Sequence, residues 1–254
     1  MVDPTQRFSD RAEYYARYRP SYPAQVVDVL AAECGLTPEA VIADIGSGTG
    51  ILTELFLQFG NRVYGVEPNR EMRQAGERHL QHFPAFISID GTAEATALPG
   101  GSVDFITAGQ AFHWFERARA RAEFARILKP GGWVMLAWNG RVADGSPFLA
   151  DYESLLGKYG TDYAQVDHRR ITDETIAEFY SPSPVRSRAF PNPRVQDYDS
   201  LAGGLLSASY APQPGHPNYE PMMAELRVLF DVHQANGTVT YLLETTLYYG
   251  QLEG

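Results

Sequence analysis

The sequence predicts an α/β fold organised on a mostly parallel sheet, and three observations carry that prediction. Val41-Ile42-Ala43-Asp44-Ile45 is an apolar run with β-branched residues at 41, 42 and 45, the pattern of a buried parallel strand. It empties into Gly46-Ser47-Gly48-Thr49-Gly50 and then, without spacer, into the amphipathic stretch Ile51 to Phe59. Gly60 stops that helix and Arg62-Val63-Tyr64-Gly65-Val66 reads as the next strand, so strand and helix alternate. Strand, glycine turn and helix start in this order bring backbone N–H groups and bare backbone to one point, where a large polar ligand can approach closely.

Composition sets the limits. The chain has 254 residues, 44% of them hydrophobic, enough for one sizeable core, and a single domain over 1–254 is expected. No apolar run approaches the ~18 residues of a membrane span, and Met1 to Arg7 is polar, so a cytoplasmic protein with no membrane partner is expected. A formal charge of −10 argues against a nucleic-acid partner. The one cysteine, Cys34, has no internal disulfide partner and reads as a partly buried small residue.

The acidic residues around the glycines narrow the ligand. Glu67 ends the second strand 21 positions after Gly46, close to the spacing of about 20 at which an acid meets a ribose hydroxyl pair. Dinucleotide sites use G-x-G-x-x-G or A, whereas here the glycines fall at 46, 48 and 50 and position 51 is Ile. Asp44 would repel a diphosphate and attract an ammonium group. A cofactor with a ribose, a cationic end and no phosphates fits these residues; an NAD- or FAD-dependent oxidoreductase is the second reading, and a non-catalytic cofactor-binding protein the third.

The remaining elements follow in order. Phe8 to Tyr22 is crowded with aromatics and arginines and must pack on the core or a ligand. Gln25 to Cys34 reads as an amphipathic helix with Val26, Val29, Leu30 and Glu33 on its buried stripe and Gly35 ending it. Asn69 caps a helix running to about Leu80. Phe86 to Ile89 is the third strand, Val103 to Ala108 the fourth and Trp133 to Trp138 the fifth. Between the last two, about Glu116 to Leu128 is a helix whose Arg117, Arg119, Arg121 and Arg126 read as a solvated face. Asp144 to Phe179 looks helical and inserted, with Tyr152, Leu155, Leu156 and Tyr159 at helical spacing, where a substrate cap would sit. A sixth strand near Val185 to Phe190, a proline-rich loop over Ala211 to Pro217, a helix over Tyr219 to His233 and one long strand signal over Thr238 to Tyr249 complete the chain.

The stretch D-I-G-S-G-T-G from Asp44 to Gly50, with Glu67-Pro68 after it, resembles the first two motifs of class I S-adenosylmethionine-dependent methyltransferases. The likeness continues through Gly91-Thr92-Ala93-Glu94, Leu98-Pro99, Ser102-Val103-Asp104 and Leu128-Lys129-Pro130-Gly131-Gly132. Tyr18-Arg19-Pro20-Ser21-Tyr22-Pro23 and Ala111-Phe112-His113-Trp114-Phe115 are most similar to the type-11 methyltransferases and their trans-aconitate methyltransferase-like members. The resemblance implies a Rossmann-like, seven-stranded, mostly parallel sheet with an antiparallel last strand, helices on both faces and a helical cap. It divides the domain into a lid at 1–24, a cofactor core at 36–140, the cap at 141–183 and a C-terminal part at 184–254 that completes the sheet.

It also implies S-adenosyl-L-methionine as cofactor, S-adenosyl-L-homocysteine as product and a small-molecule methyl acceptor as partner. Asp44, Gly46, Ser47, Gly48, Gly50, Glu67 and Pro68 become cofactor contacts. Tyr15 and Arg19 are implied at the methionine end, Arg19 pairing the carboxylate or instead capping a neighbouring carbonyl. Met72 belongs either to the core or against the adenine. The Ala93 amide, with an acceptor from Thr92, Glu94 or a carbonyl, is placed to read the adenine edge. Gln110 is a candidate for the cofactor's amino-acid part, and His113 and Trp114 face the transferring methyl, with Asn139 as a further pocket wall. His113 is then a general base, a substrate binder or a structural residue. A carboxylate acceptor would need no base, and arginines would hold it.

Overall fold

The computed structural model describes residues 12–142, 145–161, 163 and 171–252. The strands are β1 (Val41–Ile45), β2 (Arg62–Val66), β3 (Phe86–Ile89), β4 (Val103–Gly109), β5 (Leu128–Arg141), β6 (Arg186–Pro191), β7 (Arg194–Gln196), β8 (Val239–Tyr241) and β9 (Leu243–Gln251). Seven of them form one sheet in the order β3-β2-β1-β4-β5-β9-β6, while β7 and β8 pair separately. The first five run parallel, and β9 lies antiparallel between β5 and β6. This is the expected sheet, with its last strand reversed.

The helices are α1 (Ala12–Tyr18), α2 (Gln25–Cys34), α3 (Ile51–Phe59), α4 (Arg70–His79), α5 (Arg117–Ile127), α6 (Pro147–Tyr159), α7 (Asp173–Tyr180), α8 (Tyr198–Leu206) and α9 (Tyr219–His233). Strand alternation sends side chains to both faces of the sheet. From β1, Ile42 packs with Val26 and Leu30 of α2 and Phe56 of α3. Ala43 and Ile45 pack with Phe124 and Ile127 of α5 and with Ile176 and Phe179 of α7. Helices therefore cover both faces, as a parallel sheet requires. The side chain of Asn69 accepts from Met72 N–H and that of Glu116 from Ala118 and Arg119 N–H, so both helix starts are capped.

Three expectations need correction. The cap is not the single insertion 141–183. A separate apolar cluster joins Phe148, Leu149, Tyr152, Leu155 and Leu156 of α6 to Leu201 and Leu205 of α8, Leu226 and Phe230 of α9, and Val239 of β8. Meanwhile α7, expected in the cap, buries Ile176, Phe179 and Tyr180 on the sheet. Periodicity identifies an apolar helix face but not the layer it meets.

The long strand signal at 238–249 divides into β8 and β9 at Leu242 because Tyr241 and Leu242 pack on the cap while Leu247 and Tyr249 enter the sheet core. The arginines of α5 are not one solvated face. Arg121 donates to the carbonyls of Phe179 and Ser181 near the end of α7, where a helix favours a cation. Arg126 pairs with Glu123 and donates to the Leu98 carbonyl. Cys34 is half-buried, as expected, and burial pushes its thiol up to about 12. Among the described residues no helix is long and apolar enough to cross a membrane.

Candidate cofactor site at the switch between β1 and β4

β1 and β4 are neighbours in the sheet, yet chain winding reverses between them, so their carboxyl ends open a crevice. Two adjoining cavities occupy it, of about 790 and 450 Å³ of open space, and Tyr15, Gly46, Gly48, Gly109 and Gln110 line both.

The glycine loop is shaped by backbone demands. Gly46, Gly48 and Gly50 all have positive φ, a conformation an L side chain adopts only at a cost. A Cβ on Gly46 would lie 2.6 Å from Ala111 Cβ, so the loop could not sit against the strand end beyond β4 with any side chain there. Gly50 has a different task from the one expected. It lines neither cavity; it starts α3 with Leu80 beneath it, where a Cβ would lie 2.6 Å from Leu80 Cδ1.

The smaller cavity is polar and charged. Asp44 is only 1% exposed, accepts from the hydroxyls of Thr53 at 2.6 Å and Thr107 at 3.0 Å, and is pushed up to about 6 by burial. Ser47 lines the same wall, as does Thr49, whose buried hydroxyl has no partner among the described residues. Opposite stand Tyr15, Arg19, Pro20 and Tyr22 from the N-terminal segment. The Arg19 guanidinium lies 4.9 Å from the Tyr15 ring centroid and donates to the Ser207 carbonyl at 3.3 Å, while its Nε is buried with no partner among the described residues. Of the two expected roles of Arg19, the capped carbonyl is present. Burial raises the Tyr15 phenol, so it stays protonated.

The larger cavity is lined by Glu67, Pro68, Met72, Thr92, Ala93, Glu94 and Trp114. Glu67 is 8% exposed; its two oxygens accept from Gly48 N–H at 2.9 Å and Asn69 N–H at 2.8 Å, which fixes the carboxylate against the glycine loop. Each oxygen keeps a free lone pair for a ligand hydroxyl. Burial raises its carboxyl above the ordinary value despite those bonds. Met72 is buried, with its core reading, and also borders the cavity. Glu94 turns one oxygen to Glu116 N–H at 2.8 Å.

Beyond β4, His113 and Trp114 take different positions. His113 lines neither cavity; in the short 3-10 turn Phe112–Trp114 its ring packs on Trp114, centroids 4.7 Å apart, and Trp114 takes the cavity-facing position. Trp114 in turn borders the Glu67 cavity with Thr92 to Glu94, not the Asp44 end. The turn sets only one of the two adjacent rings against a cavity, which the sequence run alone does not resolve. Gln110 lines both cavities but spends a side-chain N–H on the Asn139 carbonyl at 2.9 Å. Asn139 borders the Asp44 cavity, with its side chain held by Pro20, Ser21, Asn192 and Thr245. Trp138 is core, edge-on to Phe112 and Tyr248.

Tyr22, Thr49, Asn69 and Phe115 are lining residues that the sequence did not single out. For Tyr22 a signal existed in the aromatic crowding of its segment. At Gly109 an added Cβ would meet Tyr22 Oη at 2.5 Å, which shows how closely that segment presses on the end of β4.

An open α/β sheet with a glycine loop, an acid at the end of β2 and a crevice between β1 and β4 defines the class I methyltransferase fold. Residues 43–136 match the family model described as a methyltransferase domain. An uncharacterised methyltransferase of Mycobacterium tuberculosis is 38% identical over 139 residues, 55% of this chain and 54% of that protein. An uncharacterised methyltransferase-like protein of Schizosaccharomyces pombe is 32% identical over 155 residues, 61% and 59% of the two chains. The chain spans about half the length of the curated relatives it matches. Among solved structures, a candidate type II methyltransferase from Anaeromyxobacter dehalogenans superposes with a TM-score of 0.66 at 22% identity, covering 92% of this chain and 97% of the other, a likeness of fold.

Proposed function

We propose that the chain is an S-adenosyl-L-methionine-dependent methyltransferase acting on a small molecule. The observation that carries this reading is one crevice holding two buried carboxylates beside a bare glycine loop, Asp44 in one cavity and Glu67, bonded to Gly48, in the other. Two acids in adjoining cavities suit a ligand with a cationic amino-acid end and a ribose. A dinucleotide is disfavoured because Ile51 and Asp44 both line the cavity at the start of α3, where a pyrophosphate would have to sit.

The residues present fit the cofactor. Asp44 offers a charge to an ammonium group, Arg19 Nε and the Thr49 hydroxyl are buried and unsatisfied, and Glu67 retains lone pairs for ribose hydroxyls. Thr92, Ala93, Glu94, Met72 and Trp114 would enclose the base. When bound, the sulfonium supplies a methyl group already joined to its leaving group. The chain's tasks are to orient it and to exclude water. Tyr15, Arg19 and Tyr22 from the N-terminal segment cover the smaller cavity for that purpose. His113 lines neither cavity, so no histidine base enters the reading. The acidic chain and the narrow crevice favour a small acceptor over a nucleic acid.

The test is incubation with methyl-labelled S-adenosyl-L-methionine and a small-molecule extract. The expected result is label in a low-mass product with stoichiometric S-adenosyl-L-homocysteine. Label only in macromolecules, or no turnover with any fraction, would contradict it.

A further inference from the structure

A third cleft, of about 470 Å³, lies between the N-terminal segment and the cap. Arg19, Pro20 and Asn139 line it and also line the Asp44 cavity, so the two spaces meet at those residues. Its far walls come from the cap side: Arg141, Tyr152, Arg194 and Tyr241.

The charges in this cleft do not cancel. Arg141 is compensated, for it pairs with Glu153 and bonds the hydroxyls of Tyr163 and Tyr210. Arg194 donates only to the Tyr18 carbonyl at 3.2 Å, and Arg19 only to the Ser207 carbonyl, so no carboxylate among the described residues neutralises either. A half-buried cation without a counter-ion is costly, and a ligand anion removes the cost. Burial alone holds the Arg194 guanidinium below its ordinary range, a sign of that cost.

The same cleft has an apolar side. Tyr152 and Tyr241 meet edge to face at 5.4 Å, with Leu201 and Leu243 beside them. Arg194 and Tyr241 are cross-strand partners in the β7–β8 ladder, so register itself sets the cation beside the aromatic wall.

We propose that this cleft is the methyl-acceptor site and that Arg194 holds in it a carboxylate borne by an acceptor with an apolar or aromatic body. The inference rests on the methyltransferase reading given above. Arg19 faces the cofactor's own carboxylate, and Arg194, confined to the third cleft, is left for the acceptor. The acceptor's carboxylate is its handle. The nucleophilic atom lies toward Arg19 and Pro20, where the cavities meet; its lone pair forms the new bond to the methyl carbon, the carbon–sulfur bond breaks, and that electron pair remains on sulfur.

The experiment is ¹⁹F NMR on the full chain saturated with S-adenosyl-L-homocysteine, using a panel of fluorinated aryl carboxylic acids, each paired with its primary amide. Acids are expected to bind at least about tenfold more tightly than their amides, the size of a charged pairing. Arg194→Gln should remove the preference, Arg194→Lys should keep part of it, and the affinity for S-adenosyl-L-homocysteine should stay within about twofold. Equal binding of acids and amides, no binding of any acid, or an undiminished preference in Arg194→Gln would overturn the proposal. Titration of S-adenosyl-L-homocysteine alone is read separately, so a failed cofactor reading is distinguished from a failed acceptor reading.

Discussion

Along β1 and the loop after it, ten consecutive residues place a buried carboxylate, three positive-φ glycines and a helix start at one point. In the cap, by contrast, Arg141, Tyr152, Arg194 and Tyr241 converge on one cleft from four separate elements. The first site is made by backbone, and its demands are written locally. The second is made by side chains that tertiary packing alone brings together. A backbone site tolerates few changes, whereas a side-chain site can be retuned one residue at a time.

The largest expected effect breaks the backbone site. Gly48 lines both cofactor cavities at φ +57°, and a Cβ there already lies 3.3 Å from Met72 Cε. Gly48→Val is expected to lower S-adenosyl-L-homocysteine affinity at least about 100-fold, or more than ~2.7 kcal/mol, by titration calorimetry, with far-UV dichroism unchanged. Near-normal affinity would show that the loop does not approach the ligand.

Next come the carboxylates. Glu67→Ala is expected to weaken the same binding by about 1–3 kcal/mol, the value of a charged hydrogen-bonding partner. Asp44→Asn should fall in the same range, and the comparison with Glu67 tells which end of the ligand contributes more.

Asp44 also gives a pH signature with two opposite signs. Burial raises its carboxyl to about 6, above its unfolded value, so its contribution to the stability of the ligand-free chain is full below the unfolded value and lost as pH rises through about 6. An ammonium ligand needs the ionised form, so affinity should fall as pH drops below about 6 while ligand-free stability gains. Asp44→Asn should flatten both profiles in calorimetric titration and thermal unfolding.

The smallest effect separates the two rings beyond β4. Trp114→Ala is expected to weaken S-adenosyl-L-homocysteine several-fold, about 1 kcal/mol for a lost stacking surface, and His113→Ala to leave it unchanged. The reverse order would return His113 to the site.

The comparison also explains what could be read in advance. The motif Asp44 to Gly50, Glu67 at its spacing and the capping Asn69 announce themselves because each is required by a local backbone geometry. Arg194 sits in a three-residue strand after a proline-rich turn, with no periodicity to mark it, and its partner Tyr241 lies 47 residues later. His113 and Trp114 stand side by side in the sequence, and only Trp114 lines one of the two cavities. Which ring faces the crevice depends on a single turn of 3-10 helix whose first residue, Phe112, is buried against Phe115 and Phe179. Gly50 belongs to the motif yet serves helix packing on Leu80, because a glycine can be required by a neighbour beneath it as much as by a ligand above.

The most direct test of the central claim is isothermal titration of the purified chain with S-adenosyl-L-homocysteine beside NADH. Micromolar binding of the first, abolished in Gly48→Val, and no heat from the second is the predicted result. Binding of NADH, or silence from both in a folded sample, would contradict the assignment of the crevice between β1 and β4.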